Sequence, residues 1–305
     1  MEKTFLFFDI ECANMFDGVG KICSFGYVLT DEDFNIMDSD DVVMNPETEF
    51  DWYLFSPKNK CPLAYSKDYF RSKPNFEAYY KPIKNLLEFP GRKVIGFGSK
   101  DDVGFIVSAC ERYGLAGINF SSWDISTIIS QKKQMHKSLV NWCEEYKIDV
   151  SGLTAHKSCD DAMMTMLVAK AFCQEQGISL EQLLDANKDI KLSVEKYLEL
   201  RENRFHIEKL SKKIAELFGK KSRAPLTKRL QGEYSFGFKI KTDIDLAFKL
   251  ANLVYRHGGM LMKNLKKSGT VIMLDDCGSE IVENMKKRGL SVLTVQQFEE
   301  LVRME

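Results

Sequence analysis

A chain of 305 residues, 44% hydrophobic and 29% charged, is long enough for two domains with sizeable cores and has the composition of an ordinary soluble protein. No apolar run reaches membrane-spanning length, and a net charge of −1 does not announce a polyanion partner. The opening Met-Glu-Lys-Thr does not resemble a signal peptide, and the eight cysteines include no Cys-x-x-Cys pair. Reduced thiols in a cytoplasm are therefore expected, and a structural zinc site is not.

The run Phe5–Phe8 reads as a short, aromatic, buried strand that ends in two carboxylates, Asp9 and Glu11. Side chains alternate along a strand, so Asp9 and Glu11 point to the same side. Two adjacent carboxylates repel unless a cation or a strong donor network lies between them. A hard divalent ion is the simplest such partner. The other reading of this stretch is a strand fraying into a polar loop.

Gly18-Val-Gly20 marks a turn, and Ile22–Leu29 and Ile36–Met44 then read as antiparallel strands joined by the polar turn Thr30–Asn35. Residues 50–75 are irregular and aromatic, with Trp52, Tyr53, Phe55, Tyr65, Tyr69 and Phe70. They read first as a loop packed by its aromatics and second as a stacking surface for bases. Phe76–Phe89 has helical spacing and stops at Pro90-Gly91. Lys93–Phe97 reads as a strand, and Asp101 and Asp102 sit where it meets a helix over Val103–Tyr113, a common place for an N-cap. Ile118–Phe120 reads as a strand, and Trp123–Gln134 and Ser138–Tyr146 read as helices. In the second helix Leu139, Trp142, Cys143 and Tyr146 form a core stripe. His156 follows in a loop, with Asp160 and Asp161 in the first turn of a helix running to about Cys173. A lone His-x-x-x-x-Asp is common by chance.

Taken in order, Asp9-x-Glu11 at the end of a first strand, an Asp after a later strand and His156-x-x-x-x-Asp161 opening a late helix form a stricter pattern. Over residues 1–175 it resembles the DEDDh 3′–5′ exonuclease superfamily, which includes polymerase proofreading subunits and the RNase T type. The segment from Ser138-Leu139 through Cys143 and Tyr146 to Ala155-His156 and Asp160-Asp161-Ala162 looks like that family's third motif. The resemblance implies an α/β fold with an RNase H-like mixed sheet flanked by helices. It implies that Asp9, Glu11, Asp102 and Asp161 hold metal and that His156 is the general base. Asp102 is preferred to Asp101 because Asp-Val-Gly-Phe aligns with the family's usual Asp-Ile-Gly-Phe; the family's preceding Asn is absent. The end-directed, 3′ attack enters by this resemblance alone. The chemistry agrees with it, because two Mg²⁺ or Mn²⁺ ions held by several carboxylates can stabilise both oxygens of a phosphodiester displacement. A neutral imidazole can take the proton from the attacking water.

Beyond this region Ser179 caps a helix over Leu180–Ala186, and Val194–Phe218 is long and amphipathic. Lys209, Lys212, Lys213, Lys220, Lys221, Arg223, Lys228 and Arg229 stand against one acid, Glu216, a local balance of +7. This run reads as a solvated helix end and tether, or as a contact to phosphates through Lys220, Lys221, Arg223, Lys228 and Arg229. Residues 233–305 read as a small α/β unit: strands at Ser235–Ile240, Val271–Leu274 and Ser291–Thr294, and helices at Asp245–His257, Ser279–Arg288 and Val295–Val302. With His257-Gly-Gly, Lys267, Gly278-Ser279, Lys287-Arg-Gly289 and Gln297-Phe298 it resembles a BRCT domain. Glu280 stands where that family has Lys, and Phe298 where it commonly has Trp.

The expected organisation is an exonuclease domain over 1–177, a helical basic linker over 178–232 and a BRCT-like domain over 233–305. The expected function is two-metal 3′–5′ hydrolysis of DNA, single-stranded or at a 3′ end, in repair or replication. A protein partner is expected through the BRCT-like domain, and no membrane contact. The alternatives are an exoribonuclease or oligonucleotidase, and a non-catalytic nucleic-acid-binding protein.

Overall fold

Strict alternation along Phe5–Cys12 (β1) builds the centre of the first unit. Phe5 and Phe7 enter one apolar layer and Leu6, Phe8 and Ile10 the other, with every one of these side chains buried. In this computed structural model the described residues are 3–16, 19–56, 58–59, 62–226, 230, 232–237, 243–264, 269–275 and 278–303. They form two compact units that divide after Glu199. Gly18, Lys267 and the end of the strand expected over 235–240 lie outside the described residues.

In the first unit, Ile22–Thr30 (β2) pairs antiparallel with β1, and Ile36–Val43 (β3) pairs antiparallel with β2. Two helices, Lys67–Arg71 (α1) and Phe76–Leu87 (α2), lead to Lys93–Gly96 (β4), which is parallel to β1. Lys100–Arg112 (α3) crosses to Ser121–Asp124 (β5), parallel to β4. Ile125–Lys133 (α4), Leu139–Glu145 (α5), Ser158–Gln176 (α6) and Leu180–Asp185 (α7) follow, and Leu192–Ser193 (β6) closes the sheet antiparallel to β5. The order is β3-β2-β1-β4-β5-β6. Helices α4 to α7 contribute to the layer over Phe5 and Phe7, while α2 and α3 cover Leu6 and Phe8. This mixed sheet flanked by helices is the RNase H-like arrangement.

Strand β5 and helix α4 both begin later than expected. The strand expected over Ile118–Phe120 lies three residues later, at Ser121–Asp124. Ile118 and Phe120 are buried as loop anchors, while Ser122 pairs with Val94 and its hydroxyl meets that of Ser99 at 3.0 Å. The helix expected from Trp123 starts at Ile125 because Asp124 accepts the N–H groups of Ser126 and Thr127 as an N-cap.

Residues 178–199 pack into the first unit. Leu180, Leu183 and Leu184 join the layer over Phe5 and Phe7, and a capping box between Ser179 and Gln182 opens α7. The long helix Val194–Ala215 (α8) begins here, three residues shorter at its end than the helix expected to Phe218.

The second unit has a four-stranded sheet of Glu233–Gly237 (β7), Met260–Leu261 (β8), Thr270–Met273 (β9) and Ser291–Thr294 (β10). All pairings are parallel, in the order β10-β9-β7-β8. Ile244–Arg256 (α9), Ser279–Lys287 (α10) and Val295–Arg303 (α11) connect and flank the strands. Leu210 and Ile214 of α8 join its core with Tyr234, Leu250, Ile272 and Phe298. Phe298 is fully buried, edge-on to Tyr234 at 6.0 Å. Strand β8, only two residues long, has no periodic signal of its own.

Candidate active site

Asp9 and Glu11 continue the row of Phe5 and Phe7, so both point towards the face that α6 covers. Across the β1–β2 ladder, Asp9 is opposite Gly26 and Glu11 is opposite Ser24. The start of α6 lies directly on these partners. A Cβ placed on Gly26 would be 2.0 Å from the backbone nitrogen of Cys159, and the Ser24 and Ser158 hydroxyls touch. Glycine is needed here for that close approach. Its presence inside an otherwise apolar strand was a legible but unread signal.

The first turn of α6 separates its two aspartates. Asp160 accepts the Thr154 N–H at 2.9 Å and the Lys157 ammonium at 3.0 Å, so it braces the preceding loop. Asp161 accepts the backbone N–H of His156 at 2.9 Å. His156 has φ +60°, a left-handed conformation that costs a non-glycine residue energy and marks an over-determined position. Its carbonyl accepts the Ala64 N–H at 3.3 Å, and its ring Nδ1 lies 3.0 Å from Glu11 Oε1. One ligand atom each from Glu11, His156 and Asp161 lie within 4.8 Å of one another.

Helix α3 starts at Lys100, three residues before the expected Val103, so Asp101 and Asp102 fall in its first turn. Asp101 is exposed, whereas Asp102 is 6% exposed. The helix N-terminus favours a carboxylate there. Asp124, nearby in the next strand, is engaged as the α4 cap and as acceptor of the Gly98 N–H at 2.8 Å.

The electrostatics identify a site short of positive charge. Burial pushes the Asp9 carboxyl well above the usual range, and Asp102, Asp161 and Glu11 push it further. Asp102 is raised well above its ordinary value by burial, then by Asp101 and Glu11. Asp161 is raised to about 7 by burial and by Glu11, against the pull of His156. Buried carboxyls raised in this way by neighbouring carboxylates take up protons or a cation. All-oxygen donors of this number suit a hard divalent ion such as Mg²⁺ or Mn²⁺ better than a soft one.

The aromatic stretch after β3 is largely a satellite core. Phe50, Leu63 and Phe70 pack with Ala13, Cys23 and Val43. Of the basic residues, Lys220, Lys221 and Arg223 belong to the second unit, are exposed and line a shallow depression with Tyr255. Lys228 and Arg229 lie outside the described residues. Among the described residues, Cys12, Cys23, Cys110, Cys143, Cys159 and Cys173 are free thiols, and no helix is long and apolar enough to cross a membrane.

No protein-family model and no curated protein sequence matches this chain. Among solved structures it is similar to exonuclease I, with TM-score 0.47 and 17% identity over 61% of this chain and 43% of that one. It is also similar to a 3′-exonuclease that recognises the 3′ end of the histone mRNA stem-loop, with TM-score 0.49 and 17% identity over 58% of this chain and 83% of that one. The zinc-bound complex of E. coli exonuclease I with single-stranded DNA has TM-score 0.49 and 20% identity over 61% of this chain and 42% of its own. This chain therefore spans less than half the length of exonuclease I.

Proposed function

We propose that the first unit is a metal-dependent 3′–5′ exonuclease that hydrolyses DNA from an unpaired 3′ end. The observation that carries this reading is the convergence of Glu11, His156 and Asp161 within 4.8 Å, with Asp9 raised by the charges of Asp102 and Asp161, and Asp102 by that of Glu11. Asp9, Glu11, Asp102 and Asp161 would hold two Mg²⁺ or Mn²⁺ ions, which supply charge neutralisation to the attacking and leaving oxygens.

The chain's own residues handle orientation and the proton. The contact of Glu11 with Nδ1 favours the tautomer that carries its proton there, which leaves Nε2 as the basic atom. His156 then takes a proton from water as that water attacks phosphorus, the bond from phosphorus to the O3′ of the shortened strand breaks, and that oxygen takes up a proton from solvent as it leaves. Asp161 fixes the position of His156 through its backbone N–H, so ligand and base move as one piece. The 3′ direction and attack from an end rest on the motif resemblance.

We assign the second unit a binding role in DNA repair or replication, as a BRCT-like domain. Its parallel β10-β9-β7-β8 sheet and the buried Phe298 support that reading. Lys220, Lys221 and Arg223, with Lys228 and Arg229, would contact phosphates.

The test is degradation of a 5′-labelled single-stranded DNA with Mg²⁺ or Mn²⁺, with EDTA, and with Asp9→Ala. A metal-dependent ladder that shortens from the 3′ end and disappears in the variant is the expected result. An intact DNA alongside a degraded RNA would move the assignment to an exoribonuclease. Neither polymer being cut would end the enzymatic reading.

A further inference from the structure

The three tryptophans of this chain divide sharply. Trp123 is 6% exposed and Trp142 1%, yet Trp52 is 79% exposed. Tyr53 stands beside it, edge-on at 6.3 Å and 49% exposed, and Phe16 is 63% exposed. Scattered apolar residues on a surface are normal, but these three lie on two segments that are hydrogen-bonded to one another.

The bonds run through the strand that carries the carboxylates. The N–H of Asp51 donates to the carbonyl of Ala13 at 2.8 Å, and the Asn14 amide donates to the carbonyl of Glu49 at 2.5 Å. Ala13 follows Glu11 by two residues, or about 7 Å of extended chain. Phe50, next to Trp52, is buried against Ala13 and Phe70, so the base of the loop is packed while its tip is bare. A lysine ammonium, that of Lys67, lies 5.1 Å from the Phe55 ring in the same loop.

We propose that Trp52, Tyr53 and Phe16 form a stacking platform for the unpaired bases beside the cleaved bond. Exposed aromatic faces on a loop bonded to the chain just after Glu11 match a single-stranded nucleic acid, because every base offers a π-face. Bases in a duplex are stacked on each other and cannot lie on such a platform. The platform therefore selects single-stranded termini and is indifferent to the sugar. This inference rests on the nuclease reading.

The experiment measures binding of a fluorescently labelled oligothymidylate to the full chain in EDTA, by anisotropy, for wild type, Trp52→Ala and Trp52→Phe. Loss of a base stack predicts a weakening of roughly 5- to 150-fold for Trp52→Ala and substantial recovery in Trp52→Phe. With metal, Trp52→Ala raises KM on single strands more than it lowers kcat, and it narrows the preference for single over double strands. Affinity of Trp52→Ala within twofold of wild type, with an unchanged melting temperature, overturns the platform. So does loss of self-association in Trp52→Ala without loss of oligonucleotide affinity. If the wild type binds through Trp52 but cuts no nucleic acid, base stacking on Trp52 stands, while its place beside a cleaved bond falls with the nuclease reading.

Discussion

The ring Nδ1 of His156 lies 3.0 Å from Glu11 Oε1 although 145 residues separate the two in the chain. Glu11 sits at the end of β1, and His156 is held by Asp161 through its backbone. The two side chains therefore have separable roles. On the proposed roles, His156→Ala removes the base and is expected to lower kcat by about 10²- to 10⁴-fold, with metal affinity retained. Glu11→Gln removes both a ligand and the group that orients the ring, so metal affinity and kcat fall together. Calorimetric titration with Mn²⁺, alongside kcat for each variant, separates the two outcomes.

The raised carboxyl of Asp161 links metal, pH and stability. Its pKa of about 7 in the folded chain lies above the ordinary 3.8, so the metal-free folded state binds its proton more tightly than the unfolded state does. That contribution is fully present below pH 3.8 and is lost as pH rises through about 7. In EDTA the melting temperature is expected to fall between pH 5.5 and 8.5, apart from changes due to other groups. Asp161→Asn flattens that slope and melts a few degrees higher than wild type at pH 8. Mn²⁺ stabilises the wild type most at the alkaline end, because metal uptake below pH 7 must expel a proton. Scanning calorimetry across pH, with and without Mn²⁺, measures each of these.

Gly26 is where sheet and α6 meet. In Gly26→Ala the new methyl would be 2.0 Å from the Cys159 nitrogen and from the Ser158 carbonyl carbon, both backbone atoms. The helix start must move, and Asp161 and the His156 loop move with it. The expected cost is about 1–3 kcal/mol of stability. A displacement near 1 Å predicts roughly a 10²-fold loss of kcat. A variant with wild-type kcat would show that α6 is not positioned by this contact.

What the amino-acid order reveals depends on how local the cause is. The alternation of Phe5 to Glu11 sets which side chains share a face, and it is visible by eye. The start of α3 is less local, since residues 100–102 could cap the helix or belong to it; the motif alignment prefers Asp102 to Asp101, and burial separates the two in the same sense. Strand β5 escapes a search for apolar runs because burial and strand pairing part company here. Ile118 and Phe120 are buried outside the ladder, while the polar Ser121 and Ser122 are in it. The Gly26 contact joins residues 132 and 133 positions apart: a glycine inside a strand marks a close approach, but no local pattern names the partner.

The difference between Asp101 and Asp102 yields a direct test. Asp102 is buried and its charge is felt by Asp9, whereas Asp101 is exposed. Asp102→Asn is expected to lose at least about 10²-fold in kcat, the scale seen when one group that stabilises the transition state is removed. Asp101→Asn is expected to stay within twofold. The reverse order would transfer the metal-ligand role to Asp101 and shift α3 by one residue in the assignment.

On the proposed phosphate contacts, the basic residues of the second unit would act through long-range charge and leave a different kinetic signature. Lys220, Lys221 and Arg223 are exposed and line one depression. Each phosphate neutralised on a single strand contributes about 0.7 to the slope of log affinity against log salt. Reversing all three to Glu is therefore expected to lower that slope by about 2 and to weaken binding most at low salt. On long substrates KM rises while kcat is retained, because these side chains hold the strand and do not touch the bond that breaks. The measurement is binding of a labelled oligonucleotide between about 50 and 200 mM salt, the span over which such contacts are lost. An unchanged slope would mean that the three cations are solvated in the complex and that the strand is held by the first unit alone.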